Sequence, residues 1–105
     1  MKDPVITRIW HGRTAAERAE EYLSFLFRTA VDGYKSIEGN ISVEIWRRPE
    51  GEVCHFWTVT KWSSYESIRK FAGDDLEKAK YYPDDAEYLL EFEPNVQHCE
   101  TYQFD

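Results

Sequence analysis

The sequence predicts an α+β domain with elements in the order β-α-β-β-α-β, a four-stranded antiparallel sheet carrying its helices on one face. Three observations predict it. Segments 5–12, 41–48, 52–62 and 95–104 show the two-residue alternation of strands. Two stretches, 14–31 and 63–72, open with a Ser/Thr-x-x-Glu capping box and continue at helical spacing. A Pro-Glu-Gly turn joins the two middle strands.

The first strand places Val5, Thr7, Ile9 and His11 on one face and Ile6, Arg8 and Trp10 on the other. Gly12-Arg13 is expected to turn the chain, with Thr14 as N-cap and Glu17 reaching back to it. The helix stripe then runs through Ala15, Ala16, Ala19, Tyr22, Leu23, Leu26, Phe27, Ala30 and Val31. Phe25 falls off it and is expected either partly exposed or against another element. Asp32-Gly33 is expected to stop the helix, and Gly39-Asn40 marks a further turn.

In the second strand Ile41, Val43 and Ile45 oppose Ser42, Glu44 and Trp46. Arg48-Pro49-Glu50-Gly51 reads as the hairpin turn. The second helix carries Tyr65, Ile68, Phe71 and Ala72 inward and breaks at Gly73. A further helical piece is expected from Asp74-Asp75 to Tyr82, closed by Pro83, with Asp84-Asp85 capping a short turn over Tyr88, Leu89 and Leu90. The last strand follows Pro94. This order is the ferredoxin-like split βαβ arrangement.

The third strand, EVCHFWTVTKW, carries the most information. Cys54, Phe56, Thr58, Thr60 and Trp62 share one face; Val53, His55, Trp57 and Val59 share the other. Both faces hold large or β-branched groups, so both call for cover. Helices in a chain this short cover one face only. A second copy of the chain is the simplest cover for the other, so a homodimer through the open sheet face is expected.

A chain of 105 residues fits a single domain over 1–105, with enough length to bury a core. Four tryptophans, seven tyrosines and six phenylalanines exceed what a plain core needs and suit an aromatic-lined cavity or interface. A net charge of −7 argues against nucleic acid or an anionic membrane surface as partner. Nothing approaches the ~20 apolar residues of a membrane span, and the start lacks a leader-like apolar run. Cys54 and Cys99 have no metal-ligand or redox spacing and read as buried free thiols, so a cytoplasmic setting is the default. Asp74-Asp75 and Asp84-Asp85 read as caps, and no metal site is expected.

Several pieces together resemble the antibiotic biosynthesis monooxygenase-like family of dimeric α+β barrel proteins. They are ITRIWHG at the start, the Gly39-Asn40 turn, FWTVTKWSSYESIRKFAG, YYPDDAEYLLEFEP and the final VQHCETY, and they span nearly the whole chain. The resemblance implies a homodimer whose sheets face each other as a barrel, with a cavity between sheet and helices in each subunit. It implies a cofactor-independent monooxygenase acting on a small aromatic or polyketide-type substrate, with no cofactor. The alternative is a non-catalytic dimeric protein that binds heme or a hydrophobic metabolite. Heme-degrading relatives carry an asparagine where this chain has Thr7 or Arg8, a tryptophan where it has Phe71, and the iron-ligating histidine where it has Tyr81. All three positions depart from that pattern, although a tyrosine can ligate ferric heme.

Candidate site residues follow from these two readings. His98, central on the last strand, suits a general base near neutral pH, or equally a buried histidine with a backbone partner. Tyr81 and Tyr82 can present phenols to a substrate oxygen, or pack under the loop that follows. Trp62 suits the cavity mouth or a hydrophobic staple; Phe56, Tyr65 and Phe71 suit the cavity wall or the core. Arg8 can take an anionic substrate. His11 reads as exposed near the loops, and His55 and Trp57 as residues of the dimer face. An RNA-binding reading fails because the third strand lacks the basic-glycine-aromatic signature. A phosphatase reading fails because HGRTAAE lacks a glycine-rich phosphate cradle.

Overall fold

A computed structural model describes residues 4–104, and its frame is an antiparallel sheet of order β2-β3-β1-β4. The strands are β1 (Val5–Ala15), β2 (Asn40–Glu50), β3 (Val53–Trp62) and β4 (Gln97–Thr101). β1 and β3 pair over ten positions, from Ile6 opposite Trp62 to Ala15 opposite Val53. β4 lies on the far side of β1, with Arg8 opposite His98. This is the expected split βαβ order, with β1 and β3 central and β2 and β4 at the edges.

Several local expectations are corrected by that pairing. Gly12 and Arg13 do not turn the chain; they continue β1 opposite Phe56 and His55. Thr14 is not an N-cap. It sits fully buried in the ladder opposite Cys54, and its hydroxyl donates to the Ala15 carbonyl at 2.9 Å. The β3 edge competes for the same backbone groups, and a continuous ladder outweighs one cap. The hairpin turn also moves. Pro49 and Glu50 stay in β2, opposite Cys54 and Val53, leaving Gly51 and Glu52 as the loop, with Gly51 at φ +61°. Proline is tolerated there because β2 is an edge strand. A bulge between Asn40 and Ser42 turns Ile41 outward, 55% exposed.

The first helical stretch opens with a 3-10 turn, Ala16–Arg18, that has no side-chain cap. It continues as α1 (Ala19–Leu26), a wider π-type turn (Phe27–Val31) and α2 (Asp32–Lys35). Asp32-Gly33 therefore does not stop it. Ala19, Tyr22, Leu26, Ala30 and Tyr34 are buried against the sheet. Phe25 is buried too, because Tyr88 from the later loop packs on it with ring centres 5.4 Å apart. Phe27, expected on the inner stripe, is 68% exposed.

Helix α3 (Tyr65–Ala72) is capped by Ser64, whose hydroxyl accepts from the Ser67 N–H at 3.2 Å, one residue later than the capping box suggests. Ile68 and Phe71 face the core, and Gly73 ends the helix at φ +83°. Tyr65 is turned outward. The helical piece expected over 74–82 is absent. Ala79 N–H donates to the Pro94 carbonyl at 2.8 Å and Val96 N–H to the Glu77 carbonyl at 2.7 Å, so this stretch is extended against 94–96. The short turn forms earlier than expected: it is a 3-10 turn, Pro83–Glu87, that holds Asp84 and Asp85 inside it, has Tyr82 at its N-cap and ends before Tyr88, Leu89 and Leu90. The last strand is shorter than expected, and Cys99 on it is exposed while Cys54 is buried. Among the described residues, no helix is long and apolar enough to cross a membrane.

Candidate functional site

The helix face of the sheet closes over a small cavity of about 20 Å³, room for about one water. β1 contributes Arg8 and Trp10, the first helical stretch Tyr22, Leu26, Ala30 and Tyr34, and α3 Phe71. The connection from 74 to 96 supplies Lys80, Tyr81, Tyr82 and Val96, and its 3-10 turn supplies Asp85. Of the residues singled out from the sequence, Arg8, Phe71, Tyr81 and Tyr82 meet here. Trp62 and Phe56 are fully buried beneath, in the core, and do not reach the cavity. Trp62 N–H donates to the Thr60 hydroxyl at 2.8 Å, so it is a core residue at the strand–helix junction.

Tyr65 and His98 lie together outside, along an open groove beside β4, their ring centres 5.9 Å apart. His98 nevertheless touches the cavity through Arg8. The Arg8 guanidinium, 2% exposed, donates from Nη1 to His98 Nε2 at 3.1 Å and to the Leu76 carbonyl at 2.5 Å. Its Nη2 donates to the Lys78 carbonyl at 3.2 Å. These bonds hold 76–78 out of helical geometry, since carbonyls committed to Arg8 and to 94–96 are not free for a helix ladder. Burial, and then the charge of Arg8, push the His98 imidazole below the ordinary histidine pKa. A neutral Nε2 is what accepting from Arg8 requires.

Tyr81 is held at both ends of its hydroxyl. Trp10 Nε1 donates to it at 3.2 Å, and it donates to the Glu93 carbonyl at 2.6 Å. Burial raises its pKa. Tyr82 stands over the first helical stretch. A Cβ at Gly33 would come within 3.3 Å of its hydroxyl, so the glycine read as a helix stop instead makes room for a phenol. Tyr34 is buried, its pKa raised by desolvation, and its hydroxyl pairs with Thr58.

Asp85 escaped the sequence reading as anything beyond a cap. It is 3% exposed and supplies the only carboxylate in the cavity wall among the described residues. Its Oδ1 accepts from the Tyr22 hydroxyl at 2.9 Å and its Oδ2 from the Tyr82 N–H at 2.7 Å. Burial raises its pKa, opposed by those two donors. The available signal was the helical phase of Tyr22, which aims a polar tip from the core stripe at some buried acceptor.

A second cluster lies on the opposite, open face. His11 Nδ1 donates to Glu93 at 2.5 Å, and His11 Nε2 meets His55 Nδ1 at 2.9 Å. One proton lies between the two rings. His55 Nε2 is buried with no hydrogen-bond partner, 3.6 Å from a Glu50 oxygen. Trp57 packs beside both rings, and Trp46, opposite it on β2, is 48% exposed. The described residues contain no group of three or more His, Cys, Asp or Glu side chains placed to hold a metal ion. The Tyr81 oxygen, at the position where heme-degrading relatives carry the iron ligand, already carries two hydrogen bonds.

No protein-family model and no curated protein matches the sequence. Solved structures do match. A conserved protein from Methanosarcina mazei superposes with a TM-score of 0.68 at 16% identity, over 94% of both chains. A Bacillus cereus protein, provisionally named an antibiotic biosynthesis monooxygenase, gives 0.61 at 10% identity, over 97% of this chain and 95% of that one. A Pseudomonas aeruginosa protein gives 0.56 at 16% identity, over 100% and 98%. At these identities the likeness is one of fold, and across nearly its whole length this chain has the ferredoxin-like fold of all three.

Proposed function

We propose that the protein is a cofactor-independent monooxygenase acting on a small aromatic or polyketide-type compound in this cavity. The observation that supports the reading is the meeting of one buried carboxylate, Asp85, with cavity-wall tyrosines and Phe71 on the helix side of the sheet. A methylene flanked by aromatic rings loses a proton to Asp85, whose raised pKa suits it to accept one. The resulting carbanion passes an electron to O2, the two radicals join as a peroxide anion, and that anion takes the proton back from Asp85 to give a hydroperoxide. Loss of water then leaves a ketone. Both C–H bonds and the O–O bond break, one oxygen stays in the carbonyl and the other leaves as water. The substrate supplies all four electrons, so no outside reductant is needed. Tyr82 orients the substrate oxygen, Tyr81, held by Trp10 and the Glu93 carbonyl, fixes the wall beside it, and exclusion of water protects the anion. In this reading His98 is a positioning residue for Arg8. Substrate entry requires outward movement of the extended 74–82 wall, because the resting cavity is too small for an aromatic ring system.

The same reading includes a homodimer through the open sheet face, where Trp46, Trp57, His11 and His55 await cover. The unpaired thiols Cys54 and Cys99 suit a reducing, cytoplasmic setting.

A binding protein without turnover is the second reading, favoured by the small resting cavity and the committed Tyr81 hydroxyl. Oxygen uptake with anthrone separates the two. The first reading expects one O2 consumed per ketone formed. In Asp85→Asn the rate should fall by about 10²–10⁴, the usual range for a lost general base, with a smaller loss in Tyr81→Phe. Stoichiometric binding of anthrone-type compounds with no oxygen uptake would establish the second reading instead.

A further inference from the structure

We infer that the cavity is built for an anionic aromatic ligand, a carboxylate or phenolate, whose charge is received by Arg8 with Lys80. The inference rests on the cavity being a ligand site, as proposed above, but not on any reaction there.

Arg8 is the only arginine among the described residues that is buried. Arg13, Arg18, Arg47, Arg48 and Arg69 each pair with a glutamate at 2.5–3.0 Å, all at the surface. Arg8 pairs with no carboxylate among the described residues; its partners are two backbone carbonyls and a neutral imidazole. Acid is not in short supply, since the chain has 20 Asp and Glu against 13 Lys and Arg. A buried charge without a counter-ion is disfavoured, and neutral dipoles offset only part of that.

A second cation stands beside it. Lys80 Nζ is 4.6 Å from the centre of the Phe71 ring, and the Arg8 guanidinium carbon is 5.7 Å from the same centre. Arg8 is the buried cation on the Phe71 side of the cavity, and Lys80, exposed at the rim, donates from Nζ to the Phe71 carbonyl at 3.2 Å. The one carboxylate in the wall, Asp85, is bound to Tyr22 and to the Tyr82 backbone and makes no ion pair with either cation. Trp10, Tyr34, Phe71 and Tyr82 supply aromatic surface for the ligand body. Such an arrangement recognises an acid group at one end of a flat apolar body and rejects a neutral isostere, which leaves buried Arg8 uncompensated while Lys80 adds attraction from the rim.

The experiment is calorimetric titration of 2-naphthoate against 2-naphthamide, near neutral pH, into the wild-type protein and the Arg8→Gln and Lys80→Gln variants. The expected result is naphthoate binding about ten- to a hundredfold tighter than the amide, the range of a charge-assisted hydrogen bond. The preference should disappear in Arg8→Gln, shrink in Lys80→Gln and weaken as salt is raised. Equal binding of the two compounds, binding of neither, or a preference unchanged in Arg8→Gln would overturn the inference. The wild-type comparison and Lys80→Gln stand even where Arg8→Gln fails to fold. Tight naphthoate binding without oxygen uptake from any substrate would sink the monooxygenase reading and leave this one intact.

Discussion

Tyr22→Phe removes one atom from the buried pair that closes the cavity, and its effect can be worked out from the geometry. The ring stays, with Phe25 and Tyr88 still packed on it at 5.7 and 5.4 Å between centres, so the substitution opens no large void. What goes is an O–H donating at 2.9 Å to the Asp85 carboxylate. A hydrogen bond to a charged acceptor contributes about 1.5–3 kcal/mol, and a neutral one about 0.5–1.5 kcal/mol. The loss should therefore depend on whether Asp85 is ionised. Burial holds its native pKa above the ordinary aspartate range, so the folded protein keeps this proton at a pH where the unfolded chain has released it. Above the native pKa the carboxylate is charged and the variant should lose about 1.5–3 kcal/mol. As pH falls through that pKa, Asp85 becomes neutral and the difference between variant and wild type should shrink toward about 1 kcal/mol. Paired urea denaturations at several pH values between 4 and 8, at one protein concentration, give the difference directly. A constant difference across that range would mean that Asp85 is not the ionised partner of Tyr22, and its assignment as proton acceptor would fall with it.

Two further predictions concern the other face and edge of the sheet. The native pKa of His98 lies below 6.5, so its contribution to stability is complete above the unfolded value and is lost as pH falls below it. His98→Gln, which can still accept from Arg8, should flatten the pH dependence in this window by up to one proton, measured by denaturation; an unchanged slope would refute the contact as drawn. Trp57→Glu places a charge beside His11 and His55 on the open face. A cost of about 3 kcal/mol on association corresponds to roughly a hundredfold weaker dimer. Sedimentation at micromolar concentration should show the shift to monomer, and a wild-type monomer or an unaffected variant would remove this face as the interface.

The sheet was largely legible because strand alternation survives in every context. The apolar character of both faces of β3 was legible, and the structure buries the face of Cys54, Phe56, Thr58, Thr60 and Trp62 while Val53, His55 and Trp57 on the other are half-buried; Arg8 and Trp10 fell on the same face of β1 from spacing alone. Signals that depend on a free backbone were less dependable. Thr14 and Glu17 have the spelling of a capping box, but the donors they would satisfy belong to the ladder with β3. Residues 74–82 have helical spacing, yet their carbonyls are taken by Arg8 and by pairing with 94–96, both distant in sequence. The site inherits this asymmetry. Arg8 and Phe71 could be nominated because their elements were read in place, whereas Tyr81 and Tyr82 reach the cavity although the helical piece expected to carry them is absent. Asp85 could not, since its meaning comes from Tyr22, 63 positions earlier. His98 was read with the correct strand, but its inward neighbour Arg8 occupies the space between it and the cavity.

Glu93 belongs to both sides of the sheet at once. Its carboxylate receives the His11 N–H on the open face, while its backbone carbonyl receives the Tyr81 hydroxyl at the cavity wall. The two compartments thus share a hinge pin of a single residue. A neighbour that settles on the open face and shifts the His11–Glu93 contact also shifts the anchor of Tyr81. Thermodynamic reciprocity makes the traffic two-way: whatever factor association applies to ligand affinity, the ligand applies to association. If the open face takes a second copy, its dissociation measured with and without a cavity ligand gives the coupling free energy between the two faces, and a Glu93→Gln variant tests whether that coupling passes through this residue.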